Sequence, residues 1–259
     1  MRTLLIDGDV LAYQIGYMVE VAVDWGDDLW TLHADFAEAR DRLDSYINGL
    51  TNKLDADDAI VALTDPANFR KEILPTYKAN RTNVRKPLVL KPLRAYLEKS
   101  YTTYRKPGLE GDDVLGILAT HRRLIRGEKI IVSIDKDMRT IPGLHYNSKK
   151  PEEGIVEVSD FDADYHHMLQ TLTGDTVDNY SGCPGIGPKK AEAILTAALD
   201  SAPEHVEPNV AMWQAVVATY AKAGLSEEEA IRQAQVARVL RASDYDFKAK
   251  KPILWQPPK

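Results

Sequence analysis

Hydrophobic positions follow two rhythms along this chain. Three short runs, Thr3–Ile6, Ala59–Leu63 and Lys129–Ile134, are rich in Leu, Ile or Val and predict buried strands. Between them the apolar residues fall at helical spacing: Phe36, Ala39, Leu43, Tyr46, Ile47, Leu50 and Leu54 in one stretch, Val114, Leu115, Leu118 and Leu124 in another. Strands alternating with helices imply an α/β portion with a mostly parallel central sheet flanked by helices. Val19–Trp25 and Leu29–His33 predict a hairpin around Gly26-Asp27-Asp28. After Tyr165 the pattern turns helical, with helices expected over His166–Thr173, Lys189–Ala198, Val210–Ala223 and Glu227–Leu240. The basic, Pro-rich Lys248–Lys259 tail is expected to be loosely held. The pattern thus divides the chain into an α/β portion, residues 1–165, and a helical portion, residues 166–259.

Composition narrows the class. Of 259 residues 44% are hydrophobic, enough for a sizeable core. Cys183 is the single cysteine, so no internal disulfide forms and a reducing, cytoplasmic compartment is expected. The N-terminal apolar run is too short for a signal peptide, and no 18-residue apolar stretch predicts a membrane span. The net charge of −6 argues against a polyanionic partner, but its distribution reverses that. From Arg70 to Lys106 there are eleven Lys or Arg against two acids, about +9 in 37 residues. Phosphate binding depends on the local field rather than the global sum.

Each predicted strand ends in aspartate. LLIDGD gives Asp7 and Asp9, IVALTD gives Asp65, and IIVSIDKD gives Asp135 and Asp137. In an open parallel sheet the carboxyl ends of the strands line one crevice. Glu110, Asp112 and Asp113 open the helix that follows, at its positive end. So many carboxylates together either raise their pKa values or recruit cations. Oxygen ligands without a Cys/His cluster suit Mg²⁺ or Mn²⁺ rather than zinc. Two such ions about 4 Å apart can clamp a phosphodiester. Any single aspartate is more simply a cap or turn residue, as Asp55, Asp57 and Asp58 are read.

A second motif, Gly182 to Leu195 (GCPGIGPKKAEAIL), reads as a helix-hairpin-helix. Gly185-Ile186-Gly187 forms its tight turn and Lys189 and Lys190 follow, so that backbone N–H groups and charge can meet a phosphate without reading bases. Asp175 and Asp178 stand just before it.

With these residues in place, the chain resembles the 5′ nuclease superfamily: phage 5′–3′ exonucleases, flap endonucleases and the 5′-nuclease domains of bacterial DNA polymerases. LLIDGD, FRKEILPTYKANR (Phe69–Arg81), LEGDDVLG (Leu109–Gly116), IVSIDKD (Ile131–Asp137) and GDTVDNYSGCPGIGPKKA (Gly174–Ala191) carry the resemblance in order, over roughly three quarters of the chain. It implies a PIN-like sheet and a site for two or more divalent ions on Asp7, Asp65, Glu110, Asp112, Asp113, Asp135, Asp137, Asp175 and Asp178, the last three serving a second metal position. It implies a helical gateway within the basic segment 70–106, contributing Arg70 and Lys71, with Lys78 and Arg81 on the scissile phosphate and Tyr77 stacking on a base. At the hairpin it implies duplex-backbone contact through Gly185, Gly187, Lys189 and Lys190, with K⁺ on the carbonyls. The implied partners are DNA 5′ ends, duplexes and flaps, with RNA–DNA hybrids a further substrate; a monomer is the default. For a phage-encoded chain the compartment is the host cytoplasm. Two positions depart from the family pattern: Asp9, acidic where many relatives are neutral and given a supporting role, and Tyr180-Ser181, which replace the usual Ile-Pro. Two rival readings are a haloacid-dehalogenase-like phosphohydrolase with Asp7 as nucleophile, which leaves the hairpin unexplained, and a non-catalytic DNA-binding protein, which leaves the full set of carboxylates unexplained.

Overall fold

The computed structural model describes residues 1–81 and 84–259. Thr82 and Asn83, part of the basic segment 70–106, lie outside the described residues. In chain order the elements begin β1 (Arg2–Asp7), α1 (Gly8–Met18), β2 (Glu20–Asp24), β3 (Trp30–Ala34), α2 (Phe36–Lys53), β4 (Asp58–Ala62) and α3 (Arg70–Ile73). They continue with α4 (Leu90–Ser100), β5 (Thr102–Tyr104), α5 (Gly111–Thr120), β6 (Glu128–Val132), β7 (Gly143–Tyr146) and β8 (Ile155–Val158). The helices α6 (Asp160–Thr173), α7 (Pro188–Ser201), α8 (Pro208–Lys222) and α9 (Glu227–Ala237) follow, then the two-residue strands β9 (Tyr245–Asp246) and β10 (Lys251–Pro252). They group into two compact units. The sheet unit is residues 1–67, 84–135 and 143–157; the helical unit is residues 68–83, 136–142 and 158–259.

The sheet unit is built on a six-stranded sheet of order β5-β4-β1-β6-β7-β8, with the β5–β4, β4–β1, β1–β6 and β6–β7 pairs parallel. The expected mostly parallel α/β sheet is the one found. Leu4, Ile6, Val61, Ile130 and Val132 meet Leu11, Ile15, Leu43, Ile47, Leu93 and Leu97 of α1, α2 and α4 in one core. Leu5 alternates to the opposite face, and α5 packs against β1, β4 and β6. Truncating a fully buried leucine such as Leu43 to alanine costs about 2–5 kcal/mol. The chain switches sides of the sheet at β1, with β4 on one flank and β6 on the other. A Cβ on Gly8 would lie 2.4 Å from a Val61 methyl, so β1 passes into α1 only through glycine. The predicted hairpin is β2–β3, antiparallel, with Trp25, Leu29 and Trp30 exposed at its tip.

In the helical unit α6–α9 close on Met168, Leu172, Leu195, Met212, Val216 and Tyr220. Cys183 is buried in the same core, which makes it a packing residue. Several expected boundaries move. Ser159 caps α6 through a reciprocal pair with Asp162, starting that helix six residues before His166. Helix α5 ends at Thr120, leaving Leu124 exposed outside it, and α9 ends at Ala237 rather than Leu240. The tail is not loosely held: β10 pairs with β9, and the Trp255 ring packs 5.0 Å from Trp213 and 5.2 Å from His167.

Candidate active site

In the sheet unit Asp7 closes β1 level with Ala62, while Ser133 and Asp135 follow directly on β6 and Thr64 and Asp65 on β4. The parallel pairing therefore brings these strand ends to one end of the sheet. Asp7 is buried and caps α1, its Oδ1 accepting from the Val10 N–H at 3.0 Å. Its Oδ2 accepts from the Ser133 hydroxyl at 3.1 Å, and that hydroxyl accepts from the Asp135 N–H, also at 3.1 Å. Burial pushes the Asp7 carboxyl up to about 7, helped by the charges of Asp9 and Asp135 and opposed by the two hydrogen bonds.

The neighbouring acids also shape the backbone. Asp65 accepts from the N–H groups of Ala67 and Gly108, each at 3.1 Å, with Arg105 Nε 4.0 Å away. Asp9 accepts from the Thr64 N–H at 2.6 Å and pairs with Arg94 Nε at 3.2 Å, while Arg94 Nη2 donates to the Thr64 carbonyl. Asp9 thus ties the first turn of α1 to the segment after β4 and to α4. The Thr64 hydroxyl accepts from the Gly111 N–H at 2.9 Å and so anchors the start of α5. There Glu110 and Asp113, both buried, form a reciprocal capping box, with the Glu110 N–H 3.1 Å from Asp113 Oδ2. Asp112 is half-buried in the same first turn. Sequence reasoning missed Ser133, Thr64 and Arg94; their signal is position, since two sit in the strand-end motifs and Arg94 lies one helix away.

In the helical unit the acids sit differently. Asp175 is buried and accepts from the Val177 and Asp178 N–H groups at 2.7 and 3.2 Å, and from Lys136 Nζ at 2.8 Å. Burial alone would raise its pKa, but Lys136 and these two amides hold it below the usual carboxylate range. Asp178 faces Arg81, Lys78 Nζ at 3.4 Å and the Tyr77 hydroxyl at 2.8 Å. Asp137 accepts from the Gln170 side-chain amide. The Tyr180 phenol lies among Asp137, Asp175 and Asp178, whose charges add to burial in pushing its pKa well above the usual value. The loop from Asp175 to Tyr180 is closed by paired backbone bonds at 2.9 and 3.1 Å. It closes where Gly174 and Gly182 cross so tightly that a Cβ on Gly182 would lie 2.2 Å from the Gly174 nitrogen. The Lys78–Arg81 stretch is zipped to this loop: the Lys78 N–H donates to the Asp178 carbonyl at 2.8 Å and Asn179 to Thr76 at 2.7 Å. Lys78 itself has φ of 54°, a left-handed backbone that a side chain seldom adopts. Such strain persists only where the surroundings enforce it.

Two residues expected at the nucleic acid are buried. Tyr77 is only 3% exposed, and Tyr180 packs nearby at 6.5 Å between ring centres, so it presents no free face to a base. Arg70 is 2% exposed and bonded to backbone carbonyls. Lys71, Lys189 and Lys190 are exposed. Gly185 turns with φ of 74°, and Gly187 stands at the cap position before α7, so the first N–H groups of α7 have no capping side chain. Lys190 Nζ lies 3.5 Å from the Gly185 carbonyl, the group expected to take K⁺.

Among the described residues no three His, Cys, Asp or Glu side chains converge on a point tightly enough to hold an ion as they stand. The donor set nevertheless fits a hard divalent cation in kind, because it is all oxygen and the charged form of Asp7 is disfavoured by burial first and then by like charge.

The N-terminal, resolvase-like domain of 5′–3′ exonucleases matches residues 2–162. The chain belongs to the 5′–3′ exonuclease family. It is 34% identical over 281 residues to the exonuclease of Escherichia phage T7, covering 98% of this chain and 93% of that one. It is 32% identical over 283 residues to the exodeoxyribonuclease of Enterobacteria phage T3, covering 98% and 92%. A flap endonuclease, Xni of Shewanella oneidensis, is 32% identical over 146 residues, which covers 53% of this chain and 56% of Xni. The fold is similar to that of the T5 D15 protein co-crystallised with metal ions, with a TM-score of 0.64, 18% identity and coverage of 92% and 89%. The 5′ nuclease expected from the five motifs is therefore the family found. No helix among the described residues is long and apolar enough to cross a membrane.

Proposed function

We propose that this 5′–3′ exonuclease family member is a divalent-metal-dependent nuclease that hydrolyses DNA phosphodiesters from 5′ ends and at 5′ flaps. The observation that carries the metal dependence is Asp7, a buried carboxyl pushed up to about 7 with two more aspartates beside it. A carboxyl in that position is only partly ionised at neutral pH, and a bound cation favours its charged form. The residues that hold Mg²⁺ or Mn²⁺ in this reading are Asp7, Asp65, Glu110, Asp112, Asp113 and Asp135 in the sheet unit, and Asp137, Asp175 and Asp178 in the helical unit. When bound, such ions supply Lewis acidity and lower the pKa of the attacking water.

The chain's own part is charge and position. Lys78 and Arg81 exchange Asp178 for the phosphate and neutralise its developing charge. The zip between the 76–81 stretch and the Asp175–Tyr180 loop supports this role, because it bonds the backbone that carries both cations to the loop that carries Asp178. The Gly185–Gly187 turn, Lys189 and Lys190 take the duplex backbone as a helix-hairpin-helix, with K⁺ displacing Lys190 from the Gly185 carbonyl. T5 D15 flap endonuclease has been solved in complex with DNA and metal ions, which accords with this substrate class.

The test is cleavage of an end-labelled blunt duplex, a 5′-flap duplex and an RNA–DNA hybrid, with Mg²⁺ and with EDTA. Mononucleotides released stepwise from the duplex are expected, together with a cut near the flap junction. Absence of any Mg²⁺-dependent product would sink the catalytic reading and leave a DNA-binding protein.

A further inference from the structure

We infer that the Val236–Asp244 segment is a positioning bracket: its buried arginine network fixes the Lys136–Thr140 turn, which carries Asp137, and the Arg70 end of the stretch that carries Lys78 and Arg81. The inference rests on the roles proposed for those three residues. Three arginines, Arg70, Arg238 and Arg241, are buried within the helical unit. Full burial of arginine is rare and costs several kcal/mol unless every charge is met. Here the charges converge on one short segment. Helix α9 ends at Ala237, which leaves carbonyls at its negative pole without intrahelical donors. Arg70 takes two carbonyls of this region, Nε to Val236 at 2.9 Å and Nη2 to Arg238 at 2.6 Å. Its guanidinium also lies 5.8 Å from the centre of the Tyr77 ring, whose hydroxyl reaches Asp178.

The other arm runs the opposite way. Arg241 Nη2 donates to the Thr140 carbonyl at 3.0 Å and pairs with Asp164 at 2.7 Å. The Thr140 hydroxyl donates to the Asp137 carbonyl at 2.7 Å, and Gln170 donates to the Asp137 carboxylate. Arg238 closes the bracket on itself, with Nε 2.8 Å from Asp244 and Nη1 3.5 Å from Asp164. Asp244 also accepts from the Arg241 N–H at 3.0 Å. Two stretches from the middle of the chain, residues 68–83 and 136–142, group with the C-terminal helices rather than with the sheet, and the bracket bonds directly to each through Arg70 and Thr140. Apolar side chains fill a core at less cost than buried ions. What directed guanidinium bonds add is fixed distance, and a misplacement of about 1 Å at a reacting centre can cost about 10²-fold in rate.

The experiment uses the full chain and the variants Arg241→Met, Arg241→Lys, Arg70→Met, Arg70→Lys and Gln170→Leu. Mn²⁺ binding is measured by calorimetry without DNA, and affinity for a 5′-flap duplex is measured in EDTA. Single-turnover cleavage and Tm complete the set. The two arms are expected to separate. Arg241→Met and Gln170→Leu weaken Mn²⁺ binding about tenfold, as loss of a bond behind a metal ligand does, and leave DNA affinity within about twofold. Arg70→Met weakens DNA binding about tenfold and leaves Mn²⁺ binding unchanged. The lysine variants recover Tm without recovering these affinities, because an ammonium lacks the guanidinium fork. Should Arg241→Met not fold, Arg241→Lys carries its arm, since it keeps the charge and loses the guanidinium fork. The bracket is overturned if the variants lose only Tm, or if each shifts both affinities alike. An inert wild type instead overturns the proposed function, so the two failures are told apart.

Discussion

Asp7 and Asp175 are both buried aspartates, yet their carboxyls are shifted in opposite directions. Around Asp7 the hydrogen-bond donors are neutral, a backbone N–H and the Ser133 hydroxyl, and the nearby charges are those of Asp9 and Asp135. Around Asp175 an ammonium sits at 2.8 Å, and its neighbour Asp178 faces Lys78, Arg81 and a phenol. Asp7 sits among like charges, whereas Asp175 has an ammonium against it. The contrast teaches that one list of aspartates conceals two electrostatic problems. A cation entering the sheet unit relieves repulsion. One entering the helical unit must displace lysine or arginine, so ions are expected to bind there more weakly.

The contrast is broken most directly at the sheet end. Asp112→Asn should lower cleavage at least ~10³-fold while flap-DNA affinity in EDTA stays within about twofold. Retained cutting would remove Asp112 from the reaction. Asp7→Asn should be as inactive but more stable than wild type in EDTA at pH 8. The sign follows from a folded pKa of about 7 against an ordinary 3.8. The contribution of Asp7 to stability is fully present below the lower value and is lost as pH rises through the upper one. Above pH 7 the wild type therefore carries a penalty of a few kcal/mol that asparagine does not. Thermal melts at pH 5 and pH 8 decide it: a destabilised Asp7→Asn at pH 8 would mean that Asp7 is not an unmet charge.

On the helical side, Lys78→Met and Arg81→Met should each lower single-turnover cleavage about 10²-fold, in keeping with loss of one electrostatic donor. They should also tighten Mn²⁺ binding by calorimetry, because Asp178 loses a competitor for the ion. Equal Mn²⁺ affinity in wild type and variants would show that these cations do not compete.

Much of this was legible in the sequence because it is local. The apolar runs fixed β1, β4 and β6, and an aspartate at each parallel strand end must fall at the same end of the sheet. What Asp9 does was not legible, since its partners Thr64 and Arg94 come from the segment after β4 and from α4, 55 and 85 positions on. The fates of Arg70 and Tyr77 were hidden for the same reason. A basic segment looks uniform along the chain, while burial depends on Val236 and Tyr180, more than a hundred residues away. The tail misled through composition: its lysines and prolines suggest solvent, but Trp255 supplies the apolar anchor.

A smaller effect sharpens the contrast by turning one side into the other. Lys136 is 73% exposed, so its pairing with buried Asp175 is partly screened by water. Lys136→Met should cost about 1–2 kcal/mol in EDTA, mostly from leaving Asp175 unmet. The Tm gain on adding Mg²⁺ should then exceed that of wild type, since the ion now meets a bare carboxylate. An unchanged gain would mean that the amides of Val177 and Asp178 suffice for Asp175.

The smallest effect concerns a histidine buried beside two cations. His167 is buried beside Arg238 and Arg241, and its Nε2–H donates to the Ala234 carbonyl at 2.8 Å while Nδ1 has no hydrogen-bond partner. Burial first, then the two arginine charges, pushes its pKa down to about 3 from an ordinary 6.5. A depressed histidine contributes stability above its unfolded pKa and loses it as pH falls from 6.5 toward the folded value. At pH 5.5 that amounts to on the order of 1 kcal/mol. His167→Gln keeps an N–H donor and cannot titrate, so its Tm should fall less than that of wild type between pH 7.5 and pH 5.5. Parallel declines would show that the ring charges without unfolding its surroundings, and that the arginines of the bracket tolerate a third positive charge.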